Sequence, residues 1–378
     1  MAHASVHRVV DLTDPESTRL REISLQEARR RVGSGDRDAI LAIPGSFALF
    51  TRDGDGSTVR MARSLDRPMR YFLAKRAEGP MLVVADRIDA IRTFLESEGL
   101  GAQFHPSYTR MVPAHHIVEI RLLGCPDPDA TYVRFLEPAA SDSTDLDEIG
   151  RRYVGALSDE IAIWLTSLPA AEPIGVCFSG GIDSGAVFLA THHAMQRLGI
   201  PLTRLKAFTL AVRGAGGEDL PQARRFLEAL GLGLFLEPVE VPADWIDPLG
   251  AVGVVEDYKP LDVESAAAAL ALLRGIRERY PDWRHLIDGD GGDENLKDYP
   301  IEENAELTIR SVVSNPLLYQ EGWGVDTLKH SRTYSGGQSR ACTRTYAPAR
   351  RYGFDGFSPF TRPALVRIAS GLPFARLA

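Results

Sequence analysis

The chain has 378 residues, 44% of them apolar, and a formal net charge of −8, which suits two globular domains and argues against nucleic acid as the main partner. It contains no apolar run of membrane-spanning length and no apolar signal-peptide core in residues 1–8, so we expect a cytoplasmic protein without a membrane partner. Its three cysteines, Cys125, Cys177 and Cys342, are widely spaced and odd in number, which indicates neither a disulfide framework nor a zinc site.

Residues 1–140 predict a strand-rich layer with little helix. The first 40 residues are polar, with a helical tendency over Leu25–Val32. Two strands flanking the Asp/Gly cluster of residues 53–57 predict a hairpin, because Asp and Gly favour tight turns. The predicted strands lie at Ser46–Thr51, Thr58–Ala62, Arg70–Ala74, Met81–Ala85 and Ile117–Arg121, with a short helix at Ile88–Glu96.

Residues 141–378 alternate between strands and helices. A polar linker at Glu137–Thr144 leads into a long amphipathic helix, in which apolar residues recur at helical spacing from Ile149 to Leu165. Strands separated by helices predict an α/β fold with a doubly wound parallel sheet, whose ligands gather at the carboxyl ends of the strands. The first predicted strand begins at Ile174, others span Leu205–Leu210, Leu234–Val239 and His285–Asp288, and helices span Gly185–Leu198, Asp219–Leu230 and Val263–Arg279.

The segment Ser179-Gly180-Gly181-Ile182-Asp183-Ser184 follows the first of these strands and is the strongest candidate for a ligand site. We call residues 179–184 the Ser-Gly-Gly loop. Bare N–H groups at a sheet edge, with the positive end of the next helix, favour an anion such as phosphate. The glycines allow close approach to the main chain, the serines donate hydroxyls, and Asp183 requires a divalent metal between itself and the anion. A tight turn without a ligand is the alternative, and the loop has neither Gly-Lys-Ser/Thr nor Gly-x-Gly-x-x-Gly.

The acidic loop, residues 288–294, ends another strand and contains four acidic residues and three glycines. Such a segment cannot be core, and a cation would offset the repulsion among its carboxylates. It is not an EF-hand, because the twelfth position is Tyr299 instead of glutamate. An exposed acidic turn is the alternative. Paired with the Ser-Gly-Gly loop, it predicts a Mg²⁺–nucleotide site with Asp183 and Asp293 as metal ligands.

These motifs resemble those of a known family. Ser179–Ser184 matches in full the Ser-Gly-Gly-x-Asp-Ser loop of ATP pyrophosphatases, and Gly289–Glu294 with Tyr299 is similar to the Gly-Glu/Asp-Gly-x-Asp-Glu…Tyr segment of asparagine synthetases. Phe208–Leu210 resembles that family's strand beside the adenine, and Gly353–Phe360 resembles its helix-and-turn element. The ordered match implies an adenine nucleotide α-hydrolase-like fold with ATP and Mg²⁺ as ligands. The implied nucleotide-binding residues are Ser179, Gly180, Gly181, Asp183, Ser184, Phe208, Thr209, Leu210, Gly289 and Gly291.

The first domain resembles half of the same family's glutaminase domain, through Arg63–Pro68 and Val84–Ala90. In the family, a cysteine after the initiator methionine hydrolyses glutamine. Here position 2 is alanine, and too little chain precedes Ser46 for the other half of that domain. The resemblance therefore implies a truncated glutaminase-like domain at residues 1–140 without glutaminase activity, followed by an ATP-binding synthetase domain at residues 141–378.

The resemblance also implies catalytic roles. Asp290 corresponds to the family's catalytic glutamate and would take a proton from the attacking amine. The family's C-terminal lysine has no counterpart here. A basic stretch, Lys329–Arg351, is a solvated face, a cap over the acyl substrate, or a segment that steers pyrophosphate or a nucleic acid. Glu256 and Tyr258 lie where the family builds its substrate pocket. The candidate catalytic residues are Asp290, Lys329, Tyr258 and Glu256, with Lys297 and Lys259 as alternatives to Lys329.

Three function classes remain open. The first is an AMP-forming ligase that adenylates a small-molecule or peptide carboxylate and forms an amide with ammonia or a substrate amine, in specialised metabolite biosynthesis. Asparagine synthetases, β-lactam synthetases and lasso-peptide cyclases are examples of this chemistry. The second is a sulfur-transfer or tRNA-modifying enzyme of the same fold, which the acidic charge and scattered cysteines argue against. The third is a non-catalytic or partner-dependent nucleotide-binding subunit. A homodimer is compatible with all three.

Overall fold

The structure is a computed structural model, and it describes residues 6–54, 56, 58–105, 108–121, 129–256, 260–296, 345–373 and 377. Within these residues the chain forms two compact units: unit 1 comprises residues 6–137, and unit 2 comprises residues 138–373 and 377. In the described part of the chain, no helix combines the length and the apolar character needed to cross a membrane.

Unit 1 contains two four-stranded sheets and a short two-stranded pair. Its strands are β1 (Arg8–Leu12), β2 (Arg19–Leu20), β3 (Gly45–Ser46), β4 (Ala48–Arg52), β5 (Thr58–Arg63), β6 (Arg70–Ala74), β7 (Met81–Ala85), β8 (Arg110–Met111), β9 (His116–Arg121) and β10 (Asp129–Arg134). Its described helices are α1 (Leu25–Ser34), α2 (Arg37–Leu41) and α3 (Ile88–Ser97). The first sheet has the order β1-β7-β6-β8 and the second β10-β9-β5-β4, and only β1 and β7 pair in parallel among these strands.

The two sheets of unit 1 pack face to face. Tyr71 and Leu82 of the first sheet share a buried cluster with Met61 and Val118 of the second. The alternate residues of β6 and β7 point to the opposite face, where Phe72 packs in a second cluster with α3. Both faces of the first sheet are therefore buried. The strand-rich region predicted from the sequence consists of two packed sheets, which the sequence does not indicate, because strands buried on both faces have no polar face that would mark a second layer.

Each of the five strands predicted in unit 1 overlaps an observed strand. The hairpin is confirmed, with Ala48 paired to Arg63 across β4 and β5. The strands predicted at 70–74 and 81–85 are confirmed with the same bounds, because Gly79-Pro80 separates two apolar runs. Strands β1, β2, β8 and β10 were not predicted. Strand β1 lies among the first 40 residues and pairs with β7, which is distant along the chain, so no local pattern indicates this pairing.

Unit 2 alternates strands and helices. Its strands are β11 (Ile174–Cys177), β12 (Leu205–Val212), β13 (Leu236–Val241), β14 (His285–Ile287) and β15 (Asp355–Phe357). Its described helices are α4 (Leu146–Ser167), α5 (Ile182–Arg197), α6 (Asp219–Ala229), α7 (Pro248–Val255), α8 (Pro260–Arg279), α9 (Gly292–Leu296), α10 (Ala347–Arg351) and α11 (Pro363–Ser370). The strands form one parallel sheet in the order β13-β12-β11-β14-β15. The order reverses between β11 and β14, which makes this the topological switch point.

Helices cover both faces of the parallel sheet. Val176 and Ala207 share a buried cluster with residues of α4 and α5 on one face. Phe208 and Leu286 share another cluster with residues of α8 on the other face. Side chains alternate between the faces of a strand, so one strand can supply both cores. The predicted α/β fold with a doubly wound parallel sheet is confirmed.

One prediction for unit 2 fails. Gly353–Phe360 was expected to form a helix-and-turn element, but it contains the edge strand β15, which pairs with β14 through His285 and Asp355. The pairing satisfies main-chain groups of β14 that would otherwise lie at an open edge. A strand of three residues is too short to show a period in the sequence, so only its partner reveals it.

Candidate active site

The switch point brings the two predicted loops together. The Ser-Gly-Gly loop follows β11 and the acidic loop follows β14, and these strands pair in parallel with Val176 opposite Ile287. The loops also touch. A Cβ atom built on Gly289 would lie 3.0 Å from Asp183 Cβ, and one built on Gly292 would lie 2.4 Å from Asp183 Oδ1. Glycine at both positions therefore allows the acidic loop to pack against Asp183.

The Ser-Gly-Gly loop presents hydroxyls and main-chain donors. Ser179 Oγ and Ser184 Oγ lie 3.2 Å apart, and the Gly181 N–H donates to Ser179 Oγ at 3.3 Å. Gly181 is the N-cap residue of α5, and no side chain in the described structure caps this helix. The first N–H groups of a helix lack intrahelical acceptors, and they carry the positive end of its dipole. The start of α5 is therefore suited to bind an anion.

The two glycines of the loop have different roles. Gly180 has a φ of +79°, and a Cβ atom there would lie 2.5 Å from Ala223 N in α6. Gln222 Nε2 also donates to the Gly180 carbonyl at 3.0 Å. Glycine is therefore required at position 180, because the backbone φ is positive and α6 leaves no room for a Cβ atom. A Cβ on Gly181 would meet only Ser179 Oγ, at 3.4 Å. Gly181 is thus the glycine with open space beside its main chain.

The loops border a cavity of about 310 Å³. Its lining includes the carboxylates of Asp183, Asp219 and Asp288 and no lysine or arginine among the described residues. The opposite wall is mostly apolar and comes from α8 and the end of β12. The lining residues are Cys177, Phe178, Ser179, Gly181, Ile182, Asp183, Ser184, Leu210, Asp219, Ser265, Ala268, Ala269, Leu272, Leu273, Asp288 and Gly289. A cavity with a polar and an apolar wall can accept a ligand that carries both a charged and an aromatic part.

Two carboxylates of the acidic loop have different surroundings. Asp288 lines the cavity, whereas Asp290 is 1% exposed and is not among the lining residues. Thr345 Oγ1 lies 2.7 Å from both carboxylate oxygens of Asp288 and 2.8 Å from Asp290 Oδ2. The Thr345 N–H also donates to Asp290 Oδ2 at 3.0 Å. The predicted proton acceptor is therefore buried against Thr345. Gly291 is buried with a φ of +94°, and Asp293 is half-buried in the first turn of α9.

Only one side chain of the predicted adenine strand reaches the cavity, that of Leu210. The Phe208 ring is buried, with its centroid 5.1 Å from that of Trp283. The Thr209 hydroxyl donates to the Phe178 carbonyl at 2.7 Å. Phe208 and Thr209 thus have structural partners, and neither side chain lines the cavity.

The remaining predicted site residues lie outside the described residues, except Glu256. Tyr258, Lys329, Lys259 and Lys297 lie outside the described residues, as does the basic stretch before residue 345. Glu256 caps the end of α7 with a φ of +53° and does not line the cavity. The roles predicted for these residues stay predictions.

The acidic groups fit a magnesium ion held largely by phosphate. In the described ranges, no three or more His, Cys, Asp or Glu side chains are grouped so that they could hold a metal. Mg²⁺ commonly takes only one or two protein carboxylates, with substrate phosphates and water as its other ligands. Asp183 packs against Gly292, the neighbour of Asp293, so the two predicted ligands belong to the same contact between the loops.

Sequence reasoning missed the α8 wall, Asp219, Asp288 as a cavity-lining group, and Thr345. The alanine density of α8 was visible in the sequence, but the face that borders the cavity depends on how α8 crosses β12 and β13. Asp288 is the last residue of a predicted strand, and Asp219 is the first residue of a predicted helix. That position was the one signal that pointed to a site at the sheet edge.

The turn of unit 1 that resembles the glutaminase segment forms a buried polar core. Arg63 is 0% exposed and donates to the carbonyl oxygens of Ser64, Leu65 and Arg67 at 3.1 to 3.2 Å. Asp66 accepts a hydrogen bond from the Ser64 hydroxyl at 2.6 Å. These contacts hold the turn itself together. The glutaminase-like character of residues 1–140 stays a prediction.

Unit 2 is an α/β domain that carries the Ser-Gly-Gly-x-Asp-Ser segment at the switch point of its parallel sheet. Residues 166–351 match the family described as asparagine synthase, the family whose motifs the two loops resemble.

Two solved structures are similar to part of the chain. One is NMN synthetase from Francisella tularensis, at 18% identity and a TM-score of 0.27, over 41% of this chain and 58% of that chain. The other is NH3-dependent NAD synthetase from Campylobacter jejuni subsp. jejuni NCTC 11168 in complex with the nitrate ion, at 16% identity and a TM-score of 0.27, over 39% and 58%. The chain thus covers less than two thirds of the length of either. No curated protein matches the sequence.

Proposed function

We propose that unit 2 is an ATP-dependent ligase that adenylates a carboxylate and joins it to nitrogen as an amide. The observation that carries this proposal is the contact of the acidic loop with Asp183 beside the uncapped start of α5. A phosphate site and a cation site side by side are what a magnesium–nucleotide complex requires. The match of residues 166–351 to the asparagine synthase family supports the same class of reaction.

The proposed chemistry has two steps. A carboxylate oxygen attacks the α-phosphorus of ATP, so that an acyl-adenylate forms and pyrophosphate leaves. An amine then attacks the acyl carbon, the amide forms, and AMP leaves with the former carboxylate oxygen while the nitrogen loses a proton. The N–H groups at the start of α5, with Ser179 and Ser184, would hold the departing pyrophosphate, because preorganised donors stabilise charge as it develops. Mg²⁺ bound by Asp183 and Asp293 would neutralise further charge there.

The apolar wall suits the base of the nucleotide. Leu210, Ala268, Ala269 and Leu272 line the cavity with small or aliphatic side chains, against which a flat ring can lie. Asp290 is proposed as the acceptor of the amine proton, which requires its carboxylate to move from the buried position beside Thr345. Asp288, which lines the cavity, is the alternative acceptor.

The substrates and the setting are also proposals. The acyl substrate is a small-molecule or peptide carboxylate, and the nitrogen comes from ammonia or from an amine of the substrate. We propose that the protein acts in specialised metabolite biosynthesis in the cytoplasm, that Lys329 supplies a cation near the phosphates, and that Glu256 and Tyr258 border the acyl group. A homodimer is a further proposal.

A second candidate function is nucleotide binding without catalysis. Two observations favour it: Asp290 is buried, and no lysine or arginine lines the cavity among the described residues. Such a subunit would bind MgATP but would release neither AMP nor pyrophosphate.

Product analysis distinguishes the two functions. Purified protein is incubated with MgATP, ammonium chloride and pooled carboxylic acids from a cell extract, while AMP, ADP and pyrophosphate are followed separately. Substrate-dependent AMP with equimolar pyrophosphate supports the ligase. ADP formation contradicts adenylation, and MgATP binding without turnover supports the non-catalytic subunit.

A pair of variants tests the site within the same assay. Asp183→Asn removes the proposed metal ligand and should abolish AMP formation. Asp159→Asn removes an exposed carboxylate of α4 and should leave AMP formation unchanged. Equal activity of Asp183→Asn and the unmodified chain would contradict the metal assignment.

A further inference from the structure

Thr345 gathers two carboxylates around one hydroxyl. Its Oγ1 lies 2.7 Å from both oxygens of Asp288 and 2.8 Å from Asp290 Oδ2. The Asp290 N–H donates to Asp288 Oδ1 at 3.0 Å. Asp288 therefore accepts from the Asp290 N–H and shares the single Thr345 hydroxyl proton with Asp290. Hydrogen bonds to an ionised acceptor are shorter and stronger than neutral ones, so they fix the orientation of the carboxylate.

The main chain fixes Thr345 in turn. A Cβ atom on Gly356 of β15 would lie 1.9 Å from the Thr345 carbonyl oxygen, so Thr345 rests directly on this strand. The same strand supports the acidic loop, because the Asp288 N–H donates to the Phe357 carbonyl at 3.1 Å. The Ser358 hydroxyl donates to the Asp290 carbonyl. Thr345 and the acidic loop therefore both contact β15 or Ser358, the residue that follows it.

We propose that Thr345 is a positioning residue, which holds the Asp288 carboxylate in the cavity in the orientation that MgATP binding requires. This inference rests on the proposed function, because it assumes that the cavity binds MgATP. Asp288 is the part of the acidic loop that borders the cavity with Gly289, and it faces the same space as Asp183. Thr345 itself does not line the cavity, so its effect passes through Asp288.

Two substitutions separate the hydroxyl from the shape of the side chain. Thr345→Val keeps the branched shape and the N–H donor to Asp290 but removes the hydroxyl. Thr345→Ser keeps the hydroxyl. A hydrogen bond to a charged group contributes enough to binding that its loss weakens affinity by about tenfold or more. We expect titration calorimetry with MgATP to show that loss for Thr345→Val and near-normal affinity for Thr345→Ser. Unchanged affinity in Thr345→Val overturns the proposal.

A double-mutant cycle tests whether Thr345 acts through Asp288. In an Asp288→Asn background, Thr345→Val should have little further effect on MgATP affinity, because the positioned charge is already gone. Additive losses would mean that Thr345 acts by another route and would overturn the proposal.

Hydrogen exchange at single amides gives a reading that does not depend on nucleotide. The Asp290 amide donates to Asp288 Oδ1, so its protection reports the orientation of that carboxylate. The Asp288 amide, which donates to Phe357, is the internal control. We expect faster exchange at Asp290 alone in Thr345→Val and normal exchange in Thr345→Ser. Unchanged exchange in both variants overturns the positioning role. If the unmodified chain binds no MgATP, the proposed function fails, while this measurement still decides the orientation.

Discussion

His115 makes unit 1 sensitive to acid. It is 5% exposed and lies just before β9 with a φ of +57°. Burial lowers the pKa of its imidazole to about 3, with smaller contributions from Arg63, Arg134 and His116, while Asp66 acts in the opposite direction. The ring is therefore neutral in the folded protein throughout the range from pH 4 to pH 8.

The size of the effect follows from the two pKa values. In the unfolded chain, His115 binds a proton as the pH falls below about 6.5. In the folded chain it stays neutral until the pH approaches about 3. Between these values the unfolded state binds more protons, so stability is highest above pH 6.5 and falls as the pH is lowered. From pH 7 to pH 5, this one group lowers the free energy of unfolding by about 2 kcal/mol.

Hydrogen exchange measures this change within unit 1. The free energy of opening is determined at pH 7 and pH 5 for amides of β5 and β9, in the full chain and in His115→Asn. Asparagine does not titrate and tolerates a positive φ, so it removes the proton linkage without forcing the backbone to change. Other groups titrate equally in both proteins. The variant should therefore lose about 2 kcal/mol less than the unmodified chain over this interval. An identical loss in both proteins would refute the assignment of a buried neutral His115.

Three further predictions concern unit 2. Gly180→Ala should lower the free energy of unfolding by about 1 to 2 kcal/mol or more, because alanine would have to adopt a positive φ and would clash with α6. Gly181→Ala should leave the free energy of unfolding nearly unchanged and weaken MgATP binding. Urea unfolding measures the stability of both variants, and calorimetry measures their MgATP affinity. Alkylation of Cys177, which lines the cavity, should block MgATP binding, and MgATP should slow the labelling as followed by peptide mass spectrometry. The ring introduced by Ala269→Phe should occupy part of the cavity and weaken MgATP binding. The melting temperature should stay within a few degrees of that of the unmodified chain.

The sequence predicts those parts of the fold that carry a local pattern. Runs such as Met81–Ala85, bounded by Gly79-Pro80, define strands without knowledge of their partners. The sequence does not predict strands β1 and β15, because each depends on its neighbour in the sheet more than on its own few residues. The same limit applies to the order of strands, which no local pattern contains.

The sequence predicts the two loops of the site but not the different positions that residues within each loop take. The composition of residues 179–184 and 288–294 indicates a ligand site in any fold. The loop itself does not indicate that Asp288 lines the cavity and Asp290 does not, and both carboxylates contact Thr345, which is 57 and 55 residues away along the chain. Likewise, Gly180 and Gly181 look equivalent in the sequence. Only the position of α6 makes one a packing requirement and leaves the other open.

The return of the chain across the sheet creates the site. Had β14 continued outward beyond β13, the acidic loop would stand three strands from β11, a separation of about 14 Å. Contact between Gly292 and Asp183 would then be impossible. The chain instead passes back through α7 and α8 and places β14 beside β11. Because α8 makes this crossing, it packs on β12 and β13, and its Ala268 and Ala269 line the cavity together with Cys177 at the end of β11. One change of direction thus brings the anion site, the acidic loop and the apolar wall together.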